Sequence, residues 1–252
     1  TGNSGGFVCR PAKRIMSHMV FGDNIGILIS RSAVGEAHWK EVQVTNSLCE
    51  FGIMSTRPGN GTPLFPLYLY PDEQDLDQTR RVNFDRKLYK RLQEMAAHPD
   101  KGTPDEIAVF DYIYGVLHCP AYRETYAEFL KIDFPSIPWP TSPDEFWNVS
   151  TKGAELRKLH LMESASIGQT PYPFTGEGDN EVGKPHFEDG RVWINESQYF
   201  DNTPPMSWDF YIGGYQPAQK WLKDRKGRAL SFEDVKHYQR ILKILAETDR
   251  IM

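Results

Sequence analysis

Tyr211-Ile-Gly-Gly-Tyr-Gln-Pro-Ala-Gln-Lys-Trp-Leu-Lys-Asp-Arg-Lys-Gly-Arg228 is the stretch from which the rest of the chain is read. Its aromatic-Gly-Gly opening marks a turn at Gly213 and Gly214, since glycine reaches backbone conformations closed to other residues. A short amphipathic helix follows, with Trp221 and Leu222 on one side and Lys220, Lys223, Arg225 and Lys226 elsewhere. Lys220, Lys223, Arg225, Lys226 and Arg228 against Asp224 give a local charge of +4, in a chain whose net charge is −5. Such a basic knot suits phosphate contact, because cationic side chains displace counterions from nucleic acid. It equally suits a solvated helix face with Trp221 plugging the core.

The surroundings sharpen the contrast. Residues 171–210 hold eight acidic side chains against Lys184 and Arg191, a local −6, so the knot has an acidic neighbour. A net −5 argues against a uniformly basic nucleic-acid binder, so any DNA must be held by a local surface. The 252 residues, 39% hydrophobic and 25% charged, are ordinary globular composition and long enough for one large domain or two modest ones. No run approaches the roughly 18 apolar residues of a membrane span. The polar opening, Thr1-Gly-Asn-Ser-Gly-Gly without a starting Met, reads as part of a longer polypeptide and carries no signal-peptide pattern. Three widely spaced cysteines, Cys9, Cys49 and Cys119, fit a reducing cytoplasm.

Outward from the knot, Ser231-Phe-Glu-Asp caps a final helix whose Val235, Tyr238, Ile241, Leu242 and Leu245 form one apolar stripe. Residues 181–202 read as two or three short strands around an Asp189-Gly190 turn, after a Gly/Pro/Thr-rich loop at 167–180. Ser142-Pro-Asp-Glu caps a long helix to about Glu163, and helices are expected over 83–97, 103–118 and from Pro120 to about Lys131. Phe134-Pro-Ser-Ile-Pro-Trp-Pro140 reads as strand-like. Near the start, 11–21 reads as a short helix, Asn24–Ser30 and Trp39–Thr45 as strands, and Asn60-Gly61 as a turn. Leu64–Tyr70 reads as a strand that, because of Pro66, sits at an edge or begins late. The expected fold class is mixed α/β. Residues 1–140 carry a short twisted sheet flanked by helices, and 141–252 form a helix-rich part with a small β insertion, which the long helix 142–163 could equally join to the first as one continuous domain.

Catalytic patterns are poorly met. Gly178-Asp-Asn-Glu-Val-Gly-Lys184 has phosphate-loop spacing, but Pro185 stands where Ser or Thr should hold magnesium and no apolar strand precedes it. Asp72 with Asp85 and Lys87 loosely fits a metal-dependent nuclease, a chemistry that wants the second acid and the lysine on one strand. The seven histidines lie singly, and His18, His118, His160 and His237 fall within expected helices as structural groups. Thr203-Pro-Pro-Met206 lacks the Asn/Asp and the aromatic of a methyltransferase tetrad. What remains is loops rich in donors. Arg31, Ser32, Arg57, Asn60 and Gln216 are the candidates for reading base edges, because Arg matches guanine and Asn or Gln matches adenine. Lys13, Arg14, Tyr215, Lys220, Lys223, Arg225 and Lys226 are the phosphate candidates.

Three blocks point further. They are Phe65-Pro-Leu-Tyr-Leu-Tyr-Pro71; Tyr114-Gly-Val-Leu-His-Cys-Pro-Ala-Tyr-Arg-Glu-Thr-Tyr-Ala-Glu-Phe-Leu-Lys131 with Asp133–Pro140; and Tyr211–Arg228 with Leu230–Asp234, His237-Tyr238 and Glu247-Thr248. With these the chain resembles the C-terminal specificity region of Type ISP restriction-modification enzymes and related adenine DNA methyltransferases. The resemblance implies recognition of double-stranded DNA without catalysis in this stretch. Methyltransferase and helicase/nuclease parts would lie elsewhere in the parent polypeptide. By the same resemblance no cofactor binds here, and S-adenosylmethionine, with ATP and magnesium, serves those other parts. Tyr114, Leu117, Tyr122 and Tyr126 are then expected to pack as scaffold. Two alternatives stay open: a nuclease fragment using Asp72, Asp85 and Lys87, and a docking module that reads no DNA.

Overall fold

A computed structural model of the chain describes residues 13–20, 23–31, 39–49, 53–54, 61–71 and 75–252. The chain divides into two compact units, Thr1–Arg157 and Lys158–Met252. The fold is mixed α/β, as the sequence implies, built on small antiparallel sheets and many short helices.

In the first unit, α1 (Lys13–Val20) precedes a three-stranded antiparallel sheet of order β2-β1-β3, from β1 (Gly26–Ile29), β2 (Val42–Thr45) and β3 (Leu64–Pro66). Ile27 pairs with both Val44 and Phe65, and Ile27, Leu28, Val42 and Val44 are buried, which is why the run is apolar without alternation. Pro66 does sit on an edge strand, where a missing N–H costs no ladder bond. Beyond it the chain switches sheets, and β4 (Tyr68–Leu69) pairs with β5 (Arg81–Val82). The buried Asn24 fixes this corner: its amide donates to the carbonyls of His18 and Tyr68, and its Oδ1 accepts from the Tyr68 N–H.

The helices α2 (Arg86–Ala96), α3 (Glu106–His118) and α6 (Pro143–His160) follow the expected spans, and α6 runs across the division between the units. Asp85 and Asp105 cap α2 and α3, and Ser142 accepts from the Glu145 N–H at the start of α6. Helix α3 is buried almost all round, from Val109 to His118. It crosses α6 at two glycines. A Cβ on Gly153 would lie 1.8 Å from the Asp111 carbonyl oxygen, and one on Gly115 would lie 2.6 Å from that of Val149. Beside the crossing, Arg157 grips the buried Asp111 in a bidentate pair at 2.6 and 3.0 Å.

Three expectations change here. The single helix over 120–131 is two, α4 (Pro120–Thr125) and α5 (Ala127–Leu130), broken at Tyr126 with φ −104° and ψ 17°. Tyr126 is 43% exposed against the expected packing, whereas Tyr114, Leu117 and Tyr122 are buried. Residues 134–140 form no strand. Pro135, Pro138 and Pro140 supply no N–H for a ladder, and the segment is pinned through its carbonyls, Pro138 accepting from the Tyr112 hydroxyl and Ser136 from that of Tyr122.

In the second unit, α7 (Ser164–Ile167) precedes a four-stranded antiparallel sheet of order β6-β9-β8-β7. Its strands are β6 (Phe174–Thr175), β7 (His186–Glu188), β8 (Arg191–Trp193) and β9 (Tyr199–Phe200). β6 lies inside the stretch expected to be loop. Asp189 and Gly190, with φ of 49° and 75°, make the expected hairpin turn between β7 and β8. Three helices, α8 (Pro205–Asp209), α9 (Pro217–Lys223) and α10 (Phe232–Ile251), share one core with this sheet. Val182, Val192, Ile194, Phe200, Leu222, Tyr238 and Leu242 are fully buried there. Ser231 and Asp234 close the expected capping box on α10.

Candidate nucleic-acid interface

The knot is built as a turn, a short helix and a second turn. Gly213 takes a positive φ of 54°, and Ile212 and Tyr215 exchange backbone hydrogen bonds across it at 3.0 and 3.3 Å. Gln216 precedes Pro217, the first residue of α9, and makes no side-chain cap. Ala218 and Leu222 pin the helix to the core, and the buried Tyr238 hydroxyl donates to the Ala218 carbonyl at 3.1 Å. Trp221 lies half-buried against the rings of Tyr238 and His237.

The cations of the knot divide by what they touch. The Arg225 guanidinium sits 3.6 Å from the centre of the Trp221 ring, donates from Nη1 to the Trp221 carbonyl, and stands 3.7 Å from Asp234. At 24% side-chain exposure it is a bolt between α9 and α10 rather than a reaching arm. Lys220 pairs with Asp224 at 2.6 Å, and Lys223 donates to Gln219 at 3.0 Å. Lys226 and Arg228 are exposed. Tyr215 is half-buried, and burial pushes its phenol up while Lys220 pulls it down. Hydrogen bonds from the backbone and side chain of Ser231 hold the Asp234 carboxyl below the usual carboxylate range, and Arg225 reinforces them. Burial, with Arg225 and Arg240, pushes His237 below the usual histidine range.

The acidic neighbour is stitched to the knot. Val182 donates to the Arg228 carbonyl, Gly227 to that of Val182, and Leu230 to that of Asn180. The loop with phosphate-binding spacing therefore already has acceptors for its amides: Gly183 donates to Ile194, Asn180 to the Gln198 side chain and Glu181 to Asp179. A phosphate cradle needs those N–H groups pointing outward together.

The other candidates scatter. Arg31 follows β1 and pairs with Asp133 at 3.1 Å, an exposed contact. Lys13 and Arg14 lie in the first turn of α1. Ser32, Arg57 and Asn60, the first residue of the expected Asn60-Gly61 turn, lie outside the described residues. The structure thus brings together Tyr215, Gln216, Lys220, Lys223, Arg225 and Lys226, and places Arg31 in the other unit. For the nuclease alternative, Asp72 lies outside the described residues, and the Asp85 carboxylate accepts from the N–H groups of Lys87 and Leu88 as a helix cap. Among the described residues no three His, Cys, Asp or Glu side chains are placed to hold a metal, and no helix is long and apolar enough to cross a membrane.

Motif reading assigns Arg80–Arg91 only a helix and, in the nuclease alternative, Asp85 and Lys87, yet the charge count that singles out the knot finds it too. Arg80, Arg81, Arg86, Lys87, Lys90 and Arg91 stand against Asp85 alone.

This fold recurs in solved structures. The chain superposes on the DrdV–DNA complex with a TM-score of 0.68 and 24% identity, covering 92% of this chain and 24% of that one. For LlaBIII, an ATP-dependent Type ISP restriction-modification enzyme bound to DNA, the TM-score is 0.66 at 18% identity, over 92% of this chain and 15% of that one. A nuclease-deletion mutant of the Type ISP enzyme LlaGI with a DNA substrate mimic gives 0.62 and 18%, over 92% and 21%. The chain thus spans about a quarter or less of the length of the structures it matches. No curated protein resembles it closely enough to count as a match. The family model of the Type ISP C-terminal specificity domain matches residues 3–252, and the chain belongs to that family.

Proposed function

We propose that the chain recognises a double-stranded DNA target on behalf of a restriction-modification methyltransferase and catalyses nothing itself. The observation that carries this reading is the specificity-domain match across residues 3–252. The DNA-bound state of all three similar structures supports it. In this reading Arg31, Ser32, Arg57, Asn60 and Gln216 are candidates for base edges, and an exposed pair such as Arg31–Asp133 is cheap to exchange for a guanine. Lys13, Arg14, Tyr215, Lys220, Lys223 and Lys226 are the phosphate candidates, and Arg225 holds the knot in shape. The methyltransferase and helicase/nuclease parts, with S-adenosylmethionine and with ATP and magnesium, belong to the remainder of the parent polypeptide.

The test is a binding selection, in which the chain is incubated with a randomised duplex pool at moderate salt and the retained DNA is sequenced. Enrichment of a motif several base pairs long is expected. Retention without enrichment would reduce the chain to a non-specific binder, and no retention even at low salt would overturn the reading in favour of a docking module.

A further inference from the structure

Helix α2 and the strand before it carry a second basic surface, and its cations face outward. Around the helix, Arg86, Lys87, Lys90 and Arg91 occupy one arc and are exposed, while Leu92 and Ala96 are buried on the opposite side. Of the two acids of this stretch, Asp85 is turned to the backbone as the helix cap. Arg86 and Lys87 make no ion pair among the described residues, and Lys90 meets Glu94 only at 3.9 Å between two exposed side chains. Arg80 lies over the Tyr68 ring at 3.9 Å, Arg91 over Trp139 at 4.7 Å, and Asp77 is near enough to Arg81 to feel its charge.

Where β5 meets α2 this surface opens into a cleft of about 440 Å³, lined by Leu69, Arg81, Val82, Asn83, Phe84, Arg86 and Tyr89. Asn83 donates to the Pro66 carbonyl and so holds the cleft's wall against β3. Arg86 belongs both to the cleft and to the basic arc of the helix, and Arg81 lines the same cleft. From Arg86 to Arg91 the axis rises about 7.5 Å at 1.5 Å per residue, comparable to two phosphates of one strand at about 3.4 Å each along the duplex axis. Six cations in twelve residues, within a chain of net charge −5, are complementary to a regular polyanion.

We infer that the β5–α2 face, Arg81 with Arg86, Lys87 and Lys90, carries the phosphodiester backbone of double-stranded DNA. The inference rests on the target-recognition reading given above and adds to it a phosphate track in the first unit. The contact is independent of sequence, so it sets affinity and salt dependence and leaves base choice to other residues.

The experiment measures binding of a labelled duplex to the full chain by fluorescence anisotropy across a salt series, for the wild type and the triple variant Arg86→Gln/Lys87→Gln/Lys90→Gln. All three residues are exposed, and circular dichroism with thermal melting checks that the variant folds. The expected result is a slope of log affinity against log salt shallower by about 2 to 3, since each lost phosphate contact removes about 0.9. Affinity should fall at least about tenfold near 0.1 M salt, alike for target and scrambled duplexes. The reversal Lys87→Glu/Lys90→Glu should weaken binding more than the pair Lys87→Gln/Lys90→Gln. An unchanged slope in a wild type that still selects a motif overturns the phosphate track and leaves target recognition standing. A wild type that retains no duplex at low salt overturns both. Competition by polyglutamate with no change in the duplex slope would assign the face to an acidic protein and overturn the inference.

Discussion

The α9 knot and the β5–α2 face carry similar charge and use it differently. In the knot, Arg225 is clamped on Trp221 and beside Asp234, Lys220 is paired with Asp224, and Lys223 is drawn to Gln219. At α2, Asp85 is consumed as the cap, Glu94 meets Lys90 only at 3.9 Å, and Arg86 and Lys87 project to solvent. A local charge count reports how many cations a segment holds. Whether they can meet a ligand depends on which neighbours the fold supplies, and for Arg225 the decisive neighbour stands on the next helix.

The largest expected effect is therefore on stability, in the knot. Arg225→Ala should destabilise the second unit by about 1–3 kcal/mol, through the lost ring contact and the lost charged hydrogen bond. Arg86→Ala should stay within about 0.5 kcal/mol, as surface substitutions do. Thermal melting of both variants checks the pair, and equal losses would break the comparison. Tyr238→Phe, which removes the hydroxyl from the Ala218 carbonyl, should cost about 1 kcal/mol in denaturant unfolding.

Acid should loosen the knot in two steps. His237 is held low in the folded state, so the unfolded chain takes up that proton first, and stability falls as the pH drops through about 6.5. Asp234 is also held low, so its contribution is present above the ordinary carboxylate value and is lost as the pH falls from about 4 toward the folded value. Removing the Arg225 charge should raise the His237 pKa in an NMR titration, and a fall would show that the guanidinium does not act on the ring. The smallest expected effect on stability, and the sharpest separation of the two surfaces, comes from Lys87→Gln. Melting should be unaltered while the salt slope of DNA binding drops by about 0.9.

Much of the scaffold was legible because its signals are local. The Ser231 capping box, the Asp189-Gly190 turn and the apolar stripe of α10 each lie within a few residues, and each appears where the pattern puts it. Leu64–Tyr70 was legible in part: Pro66 marked the edge, but the switch to a second sheet at Tyr68 depends on Asn24, more than forty residues earlier. The prolines of 134–140 favoured extended backbone, and extended backbone without donors cannot enter a ladder. At the candidate site, the helix of the knot and its buried Leu222 were readable, and the role of Arg225 was not, because it follows from Asp234 across a turn. The basic arc of α2 is plain in composition and was concealed by its own regularity, since an amphipathic helix already accounts for every residue in it.

The glycine crossing of α3 and α6 has a consequence for exchanging recognition specificities between members of this family. Two helices in backbone contact leave no slack: a methyl group at position 153 has no room beside the Asp111 carbonyl, and it would separate the helices next to the Asp111–Arg157 pair. Chimaeras should therefore tolerate new sequence in the exposed connections of the first unit, yet they must inherit 111–157 from one parent as an indivisible cassette. Recombination breakpoints within that span should yield insoluble chains, however well each half folds at home.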